Sequence, residues 1–236
     1  SGATEAIADS LLAVIEEGDE VVLFQPTYDA YLPLVLRAGG IPKFVTLRPP
    51  HWTFTREDLE KVFSPRTRVV VFNNPNNPCG IVYPREQLEL LAEFCVRHDA
   101  IAICDEVWEH LIFDGKRHIS LMSLPGMRER TIKISSAGKI FSLTGWKIGL
   151  VMAAPDIMRV VAKAHQFTTF TTAPNLQTAV ALGLNKEDAY FTTMRQTFQR
   201  SRDRFCARMR ELGFSVMPSQ ATYFVTLPLP CGSIAA

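Results

Sequence analysis

Two lysines lie close together in a stretch of small and apolar residues, and their setting favours amine chemistry. Lys139 directly follows the small residues 135–138, and Lys147 comes eight positions later. The small side chains leave room for a bulky group against Lys139. A lysine that is partly desolvated and lies near a second cation loses its proton more readily, and the neutral amine can form a Schiff base with an aldehyde. The competing interpretation is a surface loop with two solvated lysines.

Alternating strand and helix patterns are expected to position these lysines. Short apolar runs predict strands at residues 21–24, 44–47, 69–72, 100–104, 131–135 and 147–153. Helical spacing and capping signals predict helices at residues 4–17, 55–63, 84–98, 155–166, 173–184 and 191–212, with a further helix that ends at Gly39. The alternation predicts an α/β fold with a mostly parallel sheet sandwiched by helices. Residues 213–214 and 222–226 are predicted strands of a small α+β domain that is present only in part.

Polar residues end two of the predicted strands, at the edge where open α/β sheets bind ligands. Asn73 follows the strand at 69–72, and Asp105 follows the strand at 100–104. An aspartate at a strand end often only caps the following turn. Residues 1–4 lie at the N-terminus of the first predicted helix, where free N–H groups and the helix dipole favour an anion. A plain N-cap is the alternative there.

Composition narrows the class of protein. The 236 residues include 25 Lys and Arg against 24 Asp and Glu, so neither nucleic acid nor an anionic membrane is an expected partner. Hydrophobic residues make up 47% of the chain, which suits a globular protein. The five cysteines are scattered, odd in number and lack metal-ligand spacing. They favour buried or incidental thiols in a reducing, cytoplasmic compartment and predict no metal site.

Residues 136–149 read Ser-x-x-Lys-x-Phe-x-x-x-Gly-Trp-Lys-x-Gly. This order resembles the cofactor-lysine segment of the fold-type I pyridoxal phosphate enzymes. The class I/II aminotransferases fit best, and within them the kynurenine, glutamine and methionine aminotransferase branch. Residues 77–80 are similar to the family's Asn-Pro-x-Gly motif, and residues 105–108 to its Asp-Glu-x-Tyr motif. The resemblance extends from residues 2–6 to residues 222–224 and so covers nearly the whole chain.

The resemblance implies a pyridoxal 5'-phosphate site. Lys139 would form the Schiff base and move a proton as general base and acid, while Asp105 would keep the pyridine nitrogen protonated, so that the ring acts as an electron sink. Tyr28 would stack on the ring. The residues that match cofactor contacts of the family are Gly2, Ala3, Thr4, Tyr28, Asn73, Asn77, Asp105, Trp108, Ser136, Lys139 and Lys147.

The contacts within this set fall into two groups. The residues that match the family's phosphate contacts are Gly2, Ala3, Thr4, Ser136 and Lys147. Asn77 would bind the cofactor's phenolic oxygen, and Asn73 matches a second position near the ring. Trp108 is a departure, because it stands where a tyrosine hydroxyl of the family meets that oxygen, and an indole N–H donates but cannot accept.

The resemblance also sets the expected organisation of the chain. Residues 1–185 would form the cofactor-binding large domain, and residues 186–236 part of the C-terminal small domain. We expect the chain to be truncated at both ends, because the family's N-terminal arm would precede Ser1 and its carboxylate-binding arginine would follow Ala236. The family implies a homodimer, with the Thr-rich run 167–172 near the subunit interface.

The expected activity is transamination in amino-acid metabolism. An amino group would pass from an aromatic, sulfur-containing or glutamine-like amino acid to a 2-oxo acid through Lys139. The nearest alternative on the same scaffold is β-elimination from cysteine S-conjugates, which would release pyruvate and ammonia without an oxo-acid acceptor. An alternative of another class is a catalytically impaired cofactor-binding fragment or interaction domain, for which Trp108 and the missing ends are the arguments.

Overall fold

One six-stranded sheet forms the centre of the protein. The computed structural model describes residues 1–228. The strands of the sheet are β1 (Glu20–Gln25), β2 (Ile41–Thr46), β3 (Thr67–Asn73), β4 (Ile101–Asp105), β5 (Thr131–Ser136) and β6 (Gly149–Met152). Their order is β2-β1-β3-β4-β5-β6, and every neighbouring pair is parallel except β5 with β6. The predicted α/β fold with a mostly parallel sheet is therefore confirmed.

Helices cover both faces of this sheet. They are α1 (Gly2–Val14), α2 (Tyr31–Arg37), α3 (Arg56–Glu60), α4 (Arg85–Arg97), α5 (Ala137–Ile140), α6 (Pro155–Thr168), α7 (Pro174–Leu184) and α8 (Asp188–Glu211). Thr55 caps α3 through a capping box with Asp58, as its sequence predicts. Within residues 1–228, no helix combines the length and the apolar character needed to cross a membrane.

The packing of residues 69–72 shows why the central part of β3 is apolar at every position. Val70 and Phe72 join a core cluster with residues of α3 and α4 on one face. Val69 and Val71 join a second cluster with residues of α1, α2 and α6 on the other face. Successive side chains of a strand point to opposite faces, so a strand covered on both faces must be apolar at every position. This buried strand ends at Asn73, which places the first polar side chain at the carboxyl edge of the sheet.

Several predicted boundaries change where the backbone leaves regular geometry. Helix α1 begins at Gly2 rather than residue 4 and ends at Val14, because Ile15 is already extended. Strand β6 begins at Gly149 rather than residue 147, because Lys147 has the left-handed values φ 55° and ψ 44°, which a strand cannot contain. Both differences lie next to the predicted phosphate contacts.

The predicted strands at 213–214 and 222–226 are wrong. The structure assigns no strand after β6 in residues 1–228, and Ala221 forms only an isolated bridge with Ile112. The backbone there bonds to loops instead, with Ala221 N–H donating to Gly80 O at 2.9 Å and Thr222 N–H to Leu111 O at 2.9 Å. These bonds hold the end of the described chain against the loops beyond β3 and β4.

Helix α8 differs from its prediction in packing. Its first half packs inward, since Met194 and Phe198 contact the cluster of Val107, Trp108 and Leu111. In its second half Cys206 is buried, but Phe205 is 48% exposed, and Leu212, directly after the helix, is 54% exposed. The helical spacing of Phe205 and Leu212 predicts core packing, and that prediction is wrong at both positions.

Two further expectations are not tested by the fold. The domain boundary after residue 185 falls between α7 and α8 and stays a prediction. Residues 227–236 do not resemble the family pattern, and almost all of them lie outside the described residues. The four cysteines within residues 1–228 are buried and free, as expected, and burial raises the pKa of the Cys79 and Cys95 thiols to about 12.

Candidate functional site

A cavity of about 300 Å³ lies beyond the carboxyl ends of β4 and β5. It collects most of the residues that the sequence predicts for one site. Those that line it are Gly2, Ala3, Thr4, Tyr28, Asn77, Asp105, Trp108, Ser136, Lys139 and Lys147. Larger cavities in the described part of the chain contain neither Lys139 nor Asp105. The candidate site is therefore identified by the functional groups that line it and not by the volume of the cavity.

Lys139 enters the cavity from the short helix α5, directly after β5. Its Nζ donates a hydrogen bond to the hydroxyl of Tyr223 at 3.2 Å. Gly138 allows the following turn to approach closely, because a Cβ at that position would lie 2.9 Å from Thr144 Cα. The small residues before Lys139 therefore leave space beside it. The following turn, at Thr144, occupies part of this space, and the rest is open. That turn leads directly to Lys147.

The N-terminus of α1 and Lys147 form a cradle for an anion. The first N–H groups of a helix have no intrahelical partner, and the Ser1 side chain does not cap them. Gly2 has φ +78°, and a Cβ there would lie 3.2 Å from Lys147 Nζ, so the ammonium group sits against the helix start. Free N–H groups, the helix dipole and a lysine at one point suit a phosphate group.

Asp105 is buried at the floor of the cavity, with 5% of its surface exposed. Burial raises the pKa of its carboxyl group, while a hydrogen bond from Tyr31 acts in the opposite direction. The Tyr31 hydroxyl donates to Asp105 Oδ2 at 2.7 Å, and Val107 N–H donates to Oδ1 at 3.2 Å. Burial and the neighbouring carboxylate raise the pKa of Tyr31, so that its hydroxyl keeps the proton that it donates.

Asn73 lies behind the cavity and is not one of its lining residues. Its Nδ2 donates to the backbone oxygen of Asp105 at 2.8 Å, and its Oδ1 accepts from Asn77 N–H at 2.6 Å. It thus ties the ends of β3 and β4 together and orients the loop that carries Asn77 toward the cavity. A direct contact of Asn73 with a ligand stays a prediction.

Nearly the whole chain matches one known protein family. The family described as "Aminotransferase class I and II" matches residues 1–231. The chain belongs to the class I and II aminotransferases.

Individual aminotransferases are similar over most of this chain. Kynurenine–oxoglutarate transaminase 1 of Rattus norvegicus is 39% identical over 242 residues, which cover 95% of this chain and 57% of that protein. The structure of N-succinyldiaminopimelate aminotransferase from Mycobacterium tuberculosis matches with a TM-score of 0.92 and 42% identity, covering 94% of this chain and 58% of that one. YbdL from Escherichia coli, described as having a methionine aminotransferase function, matches with a TM-score of 0.91 and 34% identity, covering 95% and 59%. The chain therefore spans less than two thirds of the length of these aminotransferases.

The sequence does not indicate a role for two tyrosines at this cavity. Tyr31 donates a hydrogen bond to Asp105, and Tyr223 accepts one from Lys139, so each contacts a predicted catalytic side chain. Tyr31 is the first residue of α2 and lies three positions after Tyr28, and this short separation from a predicted site residue could have drawn attention to it. Tyr223 has no comparable signal, since it is 84 residues from Lys139 in the sequence.

Gly149 offers a test of the anion cradle. A Cβ at this position would lie 2.7 Å from Gly2 C and 2.9 Å from Ala3 N, so Gly149→Ala must push β6 away from the start of α1. We expect the free energy of unfolding to fall by about 1–3 kcal/mol, the usual cost of overpacking, and the affinity for a phosphate-bearing ligand to fall with it. Urea unfolding and a fluorescence titration with pyridoxal 5'-phosphate measure both effects.

Gly145→Ala is the matched control for this substitution. A Cβ at Gly145 would meet no atom within 4 Å, and the residue lies in the turn just before Lys147. It should leave both the unfolding free energy and the affinity nearly unchanged. Equal losses in the two variants would show that the close approach of β6 and α1 does not shape the cradle.

Proposed function

We propose that this chain binds pyridoxal 5'-phosphate through Lys139 and transfers amino groups between amino acids and 2-oxo acids. The observation that carries the proposal is the convergence of three groups on one cavity: the Lys139 amine, the Asp105 carboxylate and the anion cradle at Gly2 and Lys147. These groups match the aldehyde, the ring nitrogen and the phosphate of this cofactor. The cradle fits a phosphate because Gly2, which has no side chain, lets the Lys147 ammonium group lie against the free N–H groups at the start of α1.

Different residues of the chain bind the cofactor and transfer protons. When bound, the cofactor supplies an aldehyde that captures amines and a ring that takes up electrons. Lys139 would hold the aldehyde and, as a free amine, would act as the general base and acid that moves a proton between the substrate α-carbon and the cofactor carbon C4′. Asp105 holds the proton at the ring nitrogen, and Tyr31 fixes the orientation of that carboxylate.

The remaining contacts orient the ring. The N–H groups at the start of α1, Ser136 and Lys147 bind the phosphate, and Tyr28 stacks on the ring from its place in the cavity wall. Tyr28 is itself braced by an edge-to-face contact with Tyr31, with ring centroids 5.5 Å apart. Asn77 faces the phenolic oxygen, and Asn73 holds the Asn77 loop in place.

The substrate class, the assembly and the location are further parts of the proposal. The names of the similar proteins favour an amino donor with an aromatic or sulfur-containing side chain, and favour transfer over β-elimination. A glutamine-like donor stays a prediction. A homodimer is supported by the apolar side chains of Phe167 and Phe170, which lie within the Thr-rich run 167–172 and are 87% and 72% exposed. A reducing, cytoplasmic location agrees with the buried free thiols.

An amino-transfer assay tests the proposed reaction. The chain loaded with pyridoxal 5'-phosphate is incubated with methionine or kynurenine and with 2-oxoglutarate, and glutamate is measured over time. We expect glutamate to form only when donor and acceptor are both present. Release of ammonia and an oxo acid from a cysteine conjugate without any acceptor, and no glutamate, would favour the eliminating enzyme instead.

A further inference from the structure

Two aromatic side chains form the part of the cavity wall that faces Lys139, and only one of them presents a hydroxyl. Lys139 Nζ lies 4.9 Å from the ring centroid of Trp108 and 5.6 Å from that of Tyr223, within the range of cation–π contacts. The indole N–H of Trp108 can only donate. The hydroxyl of Tyr223 can donate and accept, and it lies 3.2 Å from Nζ.

The Tyr223 ring is 52% exposed, but its position is fixed. Its ring stands edge-on to Trp108, with centroids 4.5 Å apart and planes at 84°. Thr222, the residue before it, is buried and bonded through its N–H to Leu111 O at 2.9 Å, and its Oγ1 accepts from Phe224 N–H at 3.1 Å.

The backbone at Thr222 adds a second, independent observation. Thr222 has φ +67°, a left-handed conformation that a β-branched residue adopts only at a cost in free energy. Strained residues of this kind persist where the surrounding structure over-determines them, and they cluster at functional sites. Here the strained residue directs the next side chain, Tyr223, toward Lys139.

We propose that Tyr223 is a positioning residue for Lys139 and supplies the hydroxyl that Trp108 cannot. This inference rests on the proposed function and adds Tyr223 to the residues of the proposed site. The aldehyde carbon and the phenolic oxygen of pyridoxal phosphate are attached to neighbouring ring carbons. Tyr223 packs against Trp108, which matches the family position at that oxygen, so a hydroxyl held there and beside Nζ would lie on the side of that oxygen and would donate to its anionic form. The other titratable groups that line the cavity are Tyr28 before α2, Asp105 at the end of β4 and Lys147 before β6.

Tyr223→Phe removes the hydroxyl and keeps the ring. The visible absorbance of the cofactor-loaded chain is followed from pH 5 to pH 10 to find the pH at which the band has changed by half. We expect this midpoint to rise by about one pH unit, because loss of a donor to an anionic oxygen disfavours the deprotonated form. Adding Trp108→Tyr to Tyr223→Phe returns a phenol to the same wall and should restore the midpoint.

Tyr190→Phe is the matched control. Tyr190 lies in α8 and packs against Phe141 and Phe191 outside the cavity, so the midpoint of the absorbance change should not move in this variant. An unchanged or lowered midpoint in Tyr223→Phe, with a borohydride-reduced adduct still on Lys139, would overturn the role of Tyr223 and leave the proposed function intact. The absence of any adduct on Lys139 in the unaltered chain would overturn both.

Discussion

Replacing Lys139 by alanine is expected to abolish covalent attachment of pyridoxal 5'-phosphate and to slow the reaction of the loaded protein with an amino acid by about 10²–10⁴-fold. The factor is the range that a positioned general acid–base group contributes. No other lysine reaches the same place, because Lys147, the second lysine that lines the cavity, lies against the helix start at Gly2. The measurement is the decay of the cofactor's visible band after mixing with a single amino acid.

Lys147→Ala separates the roles of the two lysines. It removes a charge from the anion cradle but leaves Lys139 in place, so the adduct should still form on Lys139. The affinity for the cofactor should fall by about tenfold or more, as expected for the loss of one charge-assisted contact. A Lys139→Ala variant that still yields a reduced adduct, or a Lys147→Ala variant that loses it altogether, would contradict this assignment.

Asp105→Asn is expected to slow the same reaction by about 10²–10³-fold while the adduct on Lys139 persists. The factor is typical for removal of one preorganised electrostatic group from an active site. Asparagine keeps the shape of the side chain, and the Tyr31 hydroxyl can accept from its amide where it now donates to Asp105 Oδ2. The change therefore removes the charge that holds the proton at the ring nitrogen, and it also takes the acceptor away from the buried Tyr31 O–H.

The same substitution should change the pH dependence of the stability of the cofactor-free chain. Burial raises the pKa of Asp105 above its ordinary value of 3.8, so the folded state disfavours the charged carboxylate. This penalty is absent below the ordinary value, grows as the pH rises from there, and is complete above the raised pKa. Urea unfolding at pH 4 and pH 8 should therefore show that the free energy of unfolding of Asp105→Asn, relative to the unaltered chain, is higher at pH 8 than at pH 4. A relative stability that falls with pH would mean that the carboxylate is stabilised in the fold.

The parts of the fold that rest on local pattern could be predicted from the sequence. The apolar run of β3 identifies a strand covered on both faces, and Asn73 at its end identifies the edge of the sheet where the cavity lies. The sequence indicates the close-packed turn between Gly138 and Lys147 only through the small residues 135–138 at its start. Its geometry depends on the approach of Thr144 to Gly138, which the sequence does not specify.

The parts that depend on distant contacts could not be predicted. Tyr31 and Tyr223 reach Asp105 and Lys139 across 74 and 84 residues of sequence. The segment around Ala221 has an apolar and β-branched composition typical of strands, but its backbone donors bond to loops, and no neighbouring strand is available to it in the described residues. The exposed Phe205 and Leu212 keep a helical period without a core beneath them, so periodicity alone overestimates their burial.

The most direct test of the site is the chemical identity of the residue that carries the cofactor. The chain is loaded with pyridoxal 5'-phosphate, reduced with borohydride, digested and examined by mass spectrometry. We predict a stable adduct on the peptide that contains Lys139 and on no other lysine peptide. An adduct on Lys147 or on a surface lysine, with Lys139 unmodified, would contradict the proposal that this amine holds the cofactor above Asp105.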